Sequence, residues 1–137
     1  MRKFQNEQRD IDALPKAYQS FFYAIAKAIP DERIITDPVR NFAFGEDASL
    51  YRITPKIVVK ARQTADVSLI LKEAAKVHIP VTFRAAGTSL CGQALTDSVL
   101  VLITDDWQHY KIEDEGSRIT LQPGVLGSHA NLYLNKY

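Results

Sequence analysis

The feature that most constrains this chain is a change of period within one stretch of its middle. Ile57-Val-Val59 is a short β-branched run of the kind that forms a buried strand. Val67, Ile70, Leu71, Ala74 and Ala75 then recur at helical spacing behind Thr64, which suits the helix start. Pro80 forbids continuation, and Val81-Thr-Phe83 follows as a second strand. Strand, helix and strand in this order predict a right-handed parallel crossover. The run Val99 to Ile103 supplies a third buried strand. Trp107 to Ile112 and Ile119 to Leu121 alternate about Asp114-Glu-Gly116, which predicts an antiparallel hairpin.

The flanks are helical. Leu14, Tyr18, Phe21, Phe22, Ile25 and Ile29 share one face, with Asp12 to cap the start, Pro15 in the first turn and Pro30 at the end. Three aromatics in one turn and a half, Phe21, Phe22 and Tyr23, read as core. Asp37-Pro38 opens a second short helix that Gly45 closes, and Val125 to Tyr137 is helical again. The first dozen residues are polar and charged, and are expected to fray. The fold class is α+β: a small parallel β-α-β sheet, a following antiparallel hairpin and an N-terminal helical segment. Residues 1–50 form that helical segment and 51–137 the sheet-bearing part. The last helix has no stop signal and no strand after it, so the chain is expected to be part of something longer.

Composition narrows the function. The 137 residues carry 17 basic and 16 acidic side chains, a net charge of +1, which argues against a nucleic-acid partner. No apolar run approaches the ~20 residues of a membrane span, and Met1-Arg-Lys leads into a polar stretch unlike a signal peptide. A cytoplasmic location is expected. One cysteine excludes an internal disulfide and a Cys-rich zinc site. His78, His109 and His129 are too scattered for a metal centre, and each reads as structural or solvated. Asp105-Asp106 and Glu113-Asp-Glu115 read as solvated turn residues, not as an acid/base pair.

The informative loop is Arg84-Ala-Ala-Gly-Thr-Ser-Leu-Cys-Gly-Gln-Ala94, directly after a strand. Small residues between Gly87 and Gly92 let backbone N–H groups approach an anion closely, with Thr88 and Ser89 as hydroxyl donors and Arg84 as a fixed charge. The bland alternative is a tight turn that needs small residues for steric reasons alone. Gly87 and Gly92 have the spacing of a nucleoside-triphosphate loop, but Gln93 and Ala94 stand where Lys and Ser/Thr belong. The dinucleotide pattern G-x-G-x-x-G is absent too.

Residues Pro80 to Ala94 resemble the pyrophosphate loop of FAD-linked oxidases of the vanillyl-alcohol oxidase type. The likeness is to the D-lactate dehydrogenase and glycolate oxidase branch, whose loop reads approximately P-V-x-x-R-G-A-G-T-S-L-S-G. Pro55-Lys-Ile-Val-Val59, Thr64-Ala-Asp-Val67 and Gln122-Pro-Gly-Val125 resemble further family segments. Ile35-Thr-Asp-Pro38 and Asp47-Ala-Ser-Leu-Tyr51 resemble large members with a C-terminal iron–sulfur region.

The resemblance implies the first half of a PCMH-type FAD-binding domain in an oxidoreductase acting on a 2-hydroxy acid such as D-lactate or glycolate. Backbone groups of Ala85, Ala86, Gly87, Thr88, Ser89 and Leu90 would hold the FAD pyrophosphate. Gly92, Gln93 and Ala94 would lie toward the flavin, and Pro123, Gly124 and Val125 alongside the cofactor. Arg84 either contacts the anion or braces the loop. Thr88 stands where some relatives carry a flavin-linking histidine, so FAD is expected to be non-covalent. Cys91 is expected to be a small buried loop residue. Later FAD-binding motifs, the substrate domain and the iron–sulfur cysteines would lie beyond Tyr137. No catalytic residue is therefore named, and the chain alone is expected to be inactive and to bind FAD weakly. The alternative is a non-catalytic α/β module that self-associates, or binds a partner, through an uncovered edge.

Overall fold

Val99-Leu-Val-Leu-Ile103 is apolar at every position, and the structure puts it where such a strand belongs, between two others. The computed structural model describes residues 11–137. Helix α1 (Lys16–Ile25) leads through a 3-10 turn (Asp31–Arg33) to strand β1 (Ile34–Ile35) and helix α2 (Pro38–Ala43). Strand β2 (Ile57–Ala61), helix α3 (Thr64–Lys76), strand β3 (Val81–Arg84) and strand β4 (Val99–Ile103) follow. A hairpin of β5 (Tyr110–Glu113) and β6 (Arg118–Leu121) precedes helix α4 (Gly127–Leu134).

The main sheet has the order β1-β2-β4-β3. Strand β4 runs parallel to both neighbours, with Val101 opposite Val59 on one side and Phe83 on the other. Helix α3 thus joins two parallel strands, as the change of period predicts, but β4 lies between them. Strand β1 adds an antiparallel edge through Ile34 opposite Val59 and Ile35 opposite Val58.

Alternate residues face two separate cores. On one face Ile57, Val59, Ala61, Val99 and Val101 pack with Phe21, Ile25, Ile29 and Ile34, and with Ile70 and Ala74 of α3. On the other, Val58 and Leu100 pack with Ile35, Phe44 and Leu102. The first core draws on both sides of residue 50, so α1 and the sheet share one interior.

Several local expectations need correction. Ile11 is buried and its carbonyl accepts from the Leu14 amide, so order begins earlier than a frayed first dozen; residues 1–10 of that expectation lie outside the described residues. Helix α1 is capped by Pro15 with no side-chain bond rather than by Asp12, and it closes at Ile25, before Pro30. Of the aromatics read as core, Phe21 is buried but Tyr23 is exposed, its ring edge-on to Phe22.

Thr64 is not the cap of α3: Gln63 holds that position without a side-chain bond, and Asp66 caps the turn by accepting from the Arg62 amide at 2.9 Å. The buried stripe of α3 runs through Asp66, Ile70 and Ala74, which rotates Leu71 and Ala75 into solvent. Asp37 does cap α2, accepting from the Arg40 amide at 2.7 Å.

His78 adopts φ 54° and ends α3 with paired bonds, Ile79 N–H to Ala74 O and His78 N–H to Ala75 O. That is a Schellman closure, usually made by glycine. The hairpin joins the sheet through Trp107, whose indole N–H donates to Ala61 O at 2.8 Å.

Candidate cofactor site

Parallel strands β2, β3 and β4 all end at one edge of the sheet, the position where open α/β sheets bind ligands. The segment after β3 forms the loop, and the residues after β2 and β4 meet beside it. Among the latter, the Thr104 hydroxyl donates to Ala61 O at 3.3 Å and Arg62 Nε pairs with Asp106 at 3.1 Å.

The loop itself is open and lightly bonded. Gly87 and Gly92 take φ values of 69° and 73°, the left-handed region that favours glycine. The Ser89 hydroxyl gathers the distal half: it accepts from the amides of Cys91 and Gln93 and donates to Gln93 Oε1. The Gly92 carbonyl accepts from Leu95 N–H. The amides of Ala86, Gly87, Thr88, Ser89 and Leu90 have no hydrogen-bond acceptor within the described residues. Ala85, Ala86, Thr88 and Leu90 are exposed, so these donors are open to a ligand rather than stranded in a core.

Arg84 does not point at that row of amides. Its side chain is buried, and its two Nη groups donate to the backbone carbonyls of Phe44 and Glu46, each at 2.5 Å. The guanidinium fork is thereby spent on the segment between α2 and β2. This strap touches the loop again where Ala48 N–H donates to Gly87 O at 2.9 Å, and Tyr51 lies against Gly92.

Asp47 sits between them, its Oδ1 accepting from Ser49 N–H at 2.8 Å and its Oδ2 buried without a partner. The Ser49 hydrogen bonds hold the Asp47 carboxyl below the ordinary carboxylate range against its partial burial; the Arg84 charge and the Ala94 amide act in the same direction. Burial lowers the Arg84 guanidinium from its usual value, while Asp47 works to raise it. Sequence reasoning missed this strap as a structural partner of the loop. Its one local signal is Asp47-x-Ser49, a residue pair suited to an Asx turn.

The turn at Pro123, Gly124 and Val125 lies on the hairpin side. Gly124 N–H donates to Trp107 O at 3.0 Å, Gln108 Nε2 donates to Gly124 O at 2.7 Å, and Gln122 Oε1 accepts from His109 N–H. No hydrogen bond links this turn to residues 84–94 among the described residues.

Cys91 is exposed, a correction to the expected buried position; its backbone N–H donates to the Ser89 hydroxyl at 3.3 Å, in the open part of the loop. His78, His109 and His129 are all exposed and lie on different elements. Among the described residues, no cluster of His, Cys, Asp and Glu could hold a metal ion, and no helix is long and apolar enough to cross a membrane.

The family described as an FAD binding domain matches residues 55–137. The chain belongs to this FAD-binding domain family.

Over 123 residues it is 32% identical to the glycolate oxidase subunit GlcD of Escherichia coli K12, covering 87% of this chain and 25% of that protein. It is 33% identical over 95 residues to the D-2-hydroxyglutarate dehydrogenase of the same strain, covering 66% of this chain and 9% of that protein. The chain therefore spans about a quarter or less of the length of these relatives. Solved structures share the fold at lower identity. An alkyldihydroxyacetonephosphate synthase superimposes with a TM-score of 0.71 at 14% identity, covering 90% of this chain and 26% of that one. A p-cresol methylhydroxylase gives 0.68 at 12%, covering 91% and 26%. The α+β fold, matching that of PCMH-type FAD-binding domains, is thus shown.

Proposed function

We propose that this chain supplies the pyrophosphate-binding part of the flavin site in an FAD-dependent oxidoreductase acting on a 2-hydroxy acid such as glycolate or D-lactate. The observation that carries the reading is the row of free amides from Ala86 to Leu90 at the carboxyl end of β3. A diphosphate is acceptor-rich and anionic, and it matches donors that have no partner among the described residues. Glycines at the two left-handed positions give the loop this course, and they leave room for Arg84 and Tyr51, which a Cβ at either position would crowd.

The residues fit FAD in kind. Ala85 to Leu90 would hold the diphosphate, and Gly92, Gln93 and Ala94 would border the flavin. Pro123, Gly124 and Val125 would flank the cofactor from the hairpin side. When bound, the flavin supplies hydride acceptance; the protein positions it and limits side reactions. Thr88 offers no imidazole for a covalent flavin link, so the cofactor is held non-covalently.

The test is a titration of isotope-labelled protein with FAD, ADP and riboflavin, followed by amide chemical shifts. FAD and ADP should move Ala86 to Leu90 while riboflavin, which lacks the diphosphate, leaves them in place. Equal responses to all three, or shifts confined to other residues, would overturn the reading.

A second reading is favoured by β3, which among the described residues pairs only with β4 and leaves its outer edge open, with Phe83 42% exposed. A second copy, or a partner strand, could add there. Size-exclusion chromatography with and without FAD separates the two: a flavin-bound monomer favours the first reading, and a flavin-free dimer the second.

A further inference from the structure

We infer that the strap from Phe44 to Arg52 is the backing of the diphosphate loop, and that Arg84 and Asp47 are positioning residues that fix the loop's shape without touching the ligand. The inference rests on the reading of the loop as a diphosphate site and says how that site is held in form.

Three independent contacts join strap and loop. Arg84 reaches out of the last position of β3 and grips two carbonyls two residues apart, at Phe44 and Glu46. Ala48 N–H holds Gly87 O. Gly92 presses on Tyr51 so closely that a Cβ there would lie 3.0 Å from Cδ2 of that ring. These contacts bracket the stretch of free amides on both sides. Gly87 O is turned back toward the strap, and the neighbouring N–H groups have no partner among the described residues.

The charges fit the same role. Arg84 is buried and faces Asp47, so the pair is close to neutral as a unit. Arg52, the strap's own cation, pairs with Glu46 and stacks over the Phe42 ring at 4.3 Å. The attraction for a diphosphate then comes from amide dipoles, and these depend on orientation far more than a mobile cation does. Pre-organisation of this kind supplies affinity by removing the ordering cost from the binding step.

Arginine is specific to this task. Its planar fork can donate to two carbonyls at once, whereas a lysine ammonium acts as one flexible point charge. The two roles for Arg84 therefore predict different outcomes for Arg84→Lys. A brace is not restored by lysine; a direct phosphate cation largely is.

The experiment compares wild type, Arg84→Lys, Arg84→Met and Tyr51→Ala by backbone 15N relaxation at residues 85–90, exchange of the Ala48 amide, and FAD titration. Lys and Met at position 84 should both loosen residues 85–90 and speed Ala48 exchange, with β4 amides unchanged, and both should weaken FAD by about tenfold or more. Tyr51→Ala changes an exposed residue that leaves the sheet core intact, and it should loosen Gly92 and its neighbours in the same way. Retained FAD affinity in Arg84→Lys, or unchanged relaxation at 85–90 in all variants, overturns the inference. Absence of FAD binding in wild type defeats the cofactor reading alone, because relaxation and exchange still decide whether the brace exists.

Discussion

Arg33 Nη1 lies 2.6 Å from Asp66 Oδ2, tying the turn before β1 to the first turn of α3. Both side chains are largely out of solvent, at 12% and 5% exposure. Asp66 also accepts from the Arg62 amide, so one carboxylate closes the helix start and neutralises a buried cation. Burial pushes its proton affinity up, but the Arg62 amide, Arg33 and Gln63 outweigh it and hold the carboxyl below 3.8.

Replacing Asp66 by Ala leaves Arg33 buried without its counter-charge, which should cost about 3 kcal/mol. Urea unfolding at neutral pH measures this. Because the folded carboxyl is the stronger acid, its contribution is complete above the ordinary carboxylate value and is lost as pH falls through the folded value. Wild type should therefore lose stability on acidification below about pH 4 more steeply than Asp66→Asn. Parallel pH profiles for the two proteins would contradict the arrangement.

Gly124→Ala tests how the hairpin is docked. An added Cβ would stand 2.5 Å from Trp107 O and 3.1 Å from its carbonyl carbon, and backbone cannot step aside as a side-chain tip can. The turn must shift away from the Trp107 segment, with an expected loss of about 1–3 kcal/mol. The Trp107 indole should become more exposed as its bond to Ala61 O weakens, giving a red-shifted emission that thermal melts can accompany. Unchanged emission and stability would show that the turn adjusts freely.

Much of the sheet is readable from sequence because its strands are buried on both faces. In the two central strands Val58 and Leu100 face one core while Val59 and Val101 face the other, so Ile57-Val-Val59 and Val99–Ile103 are unbroken apolar runs. The hairpin is readable because one face of it stays wet. Strand β1 is not, since Ile34 and Ile35 are too few to display a period and owe their state to pairing with β2. The α3 stripe was expected a little off its true axis because Asp66 looks polar but is buried by Arg33. At the site, the glycines announce a loop that approaches something closely. Its backing is silent, because Arg84 looks in sequence like an anion ligand. Only tertiary structure reveals that its two Nη groups are engaged by Phe44 O and Glu46 O, while its Nε is buried without a partner among the described residues.

Gly92→Ala separates loop geometry from overall stability. At φ 73° an L-residue costs about 1–2 kcal/mol, and the new Cβ also meets the Tyr51 ring. The melting temperature should fall modestly while amide shifts concentrate in residues 85–94. Combining Gly92→Ala with Tyr51→Ala should recover only the steric share, because the backbone strain remains. Full recovery in the double variant would mean that crowding alone makes glycine necessary there.

The last helix is held differently from everything before it. Helix α4 has no buried residue, and its firm contact is the Tyr133 ring stacked on Tyr110 at 3.8 Å with planes 7° apart. Tyr137 adds cover over Gly116, which itself sits at φ 91° in the hairpin turn. Such a ring pair is worth about 0.5–1.5 kcal/mol, small beside the two cores under the sheet. Helix α4 should therefore open without global unfolding, and its amides should exchange far faster than those of β2 and β4. Tyr133→Ala should remove most of its helical signal while leaving the sheet's exchange protection in place. A cooperative loss of β4 protection in that variant would instead make α4 an integral part of the folding unit.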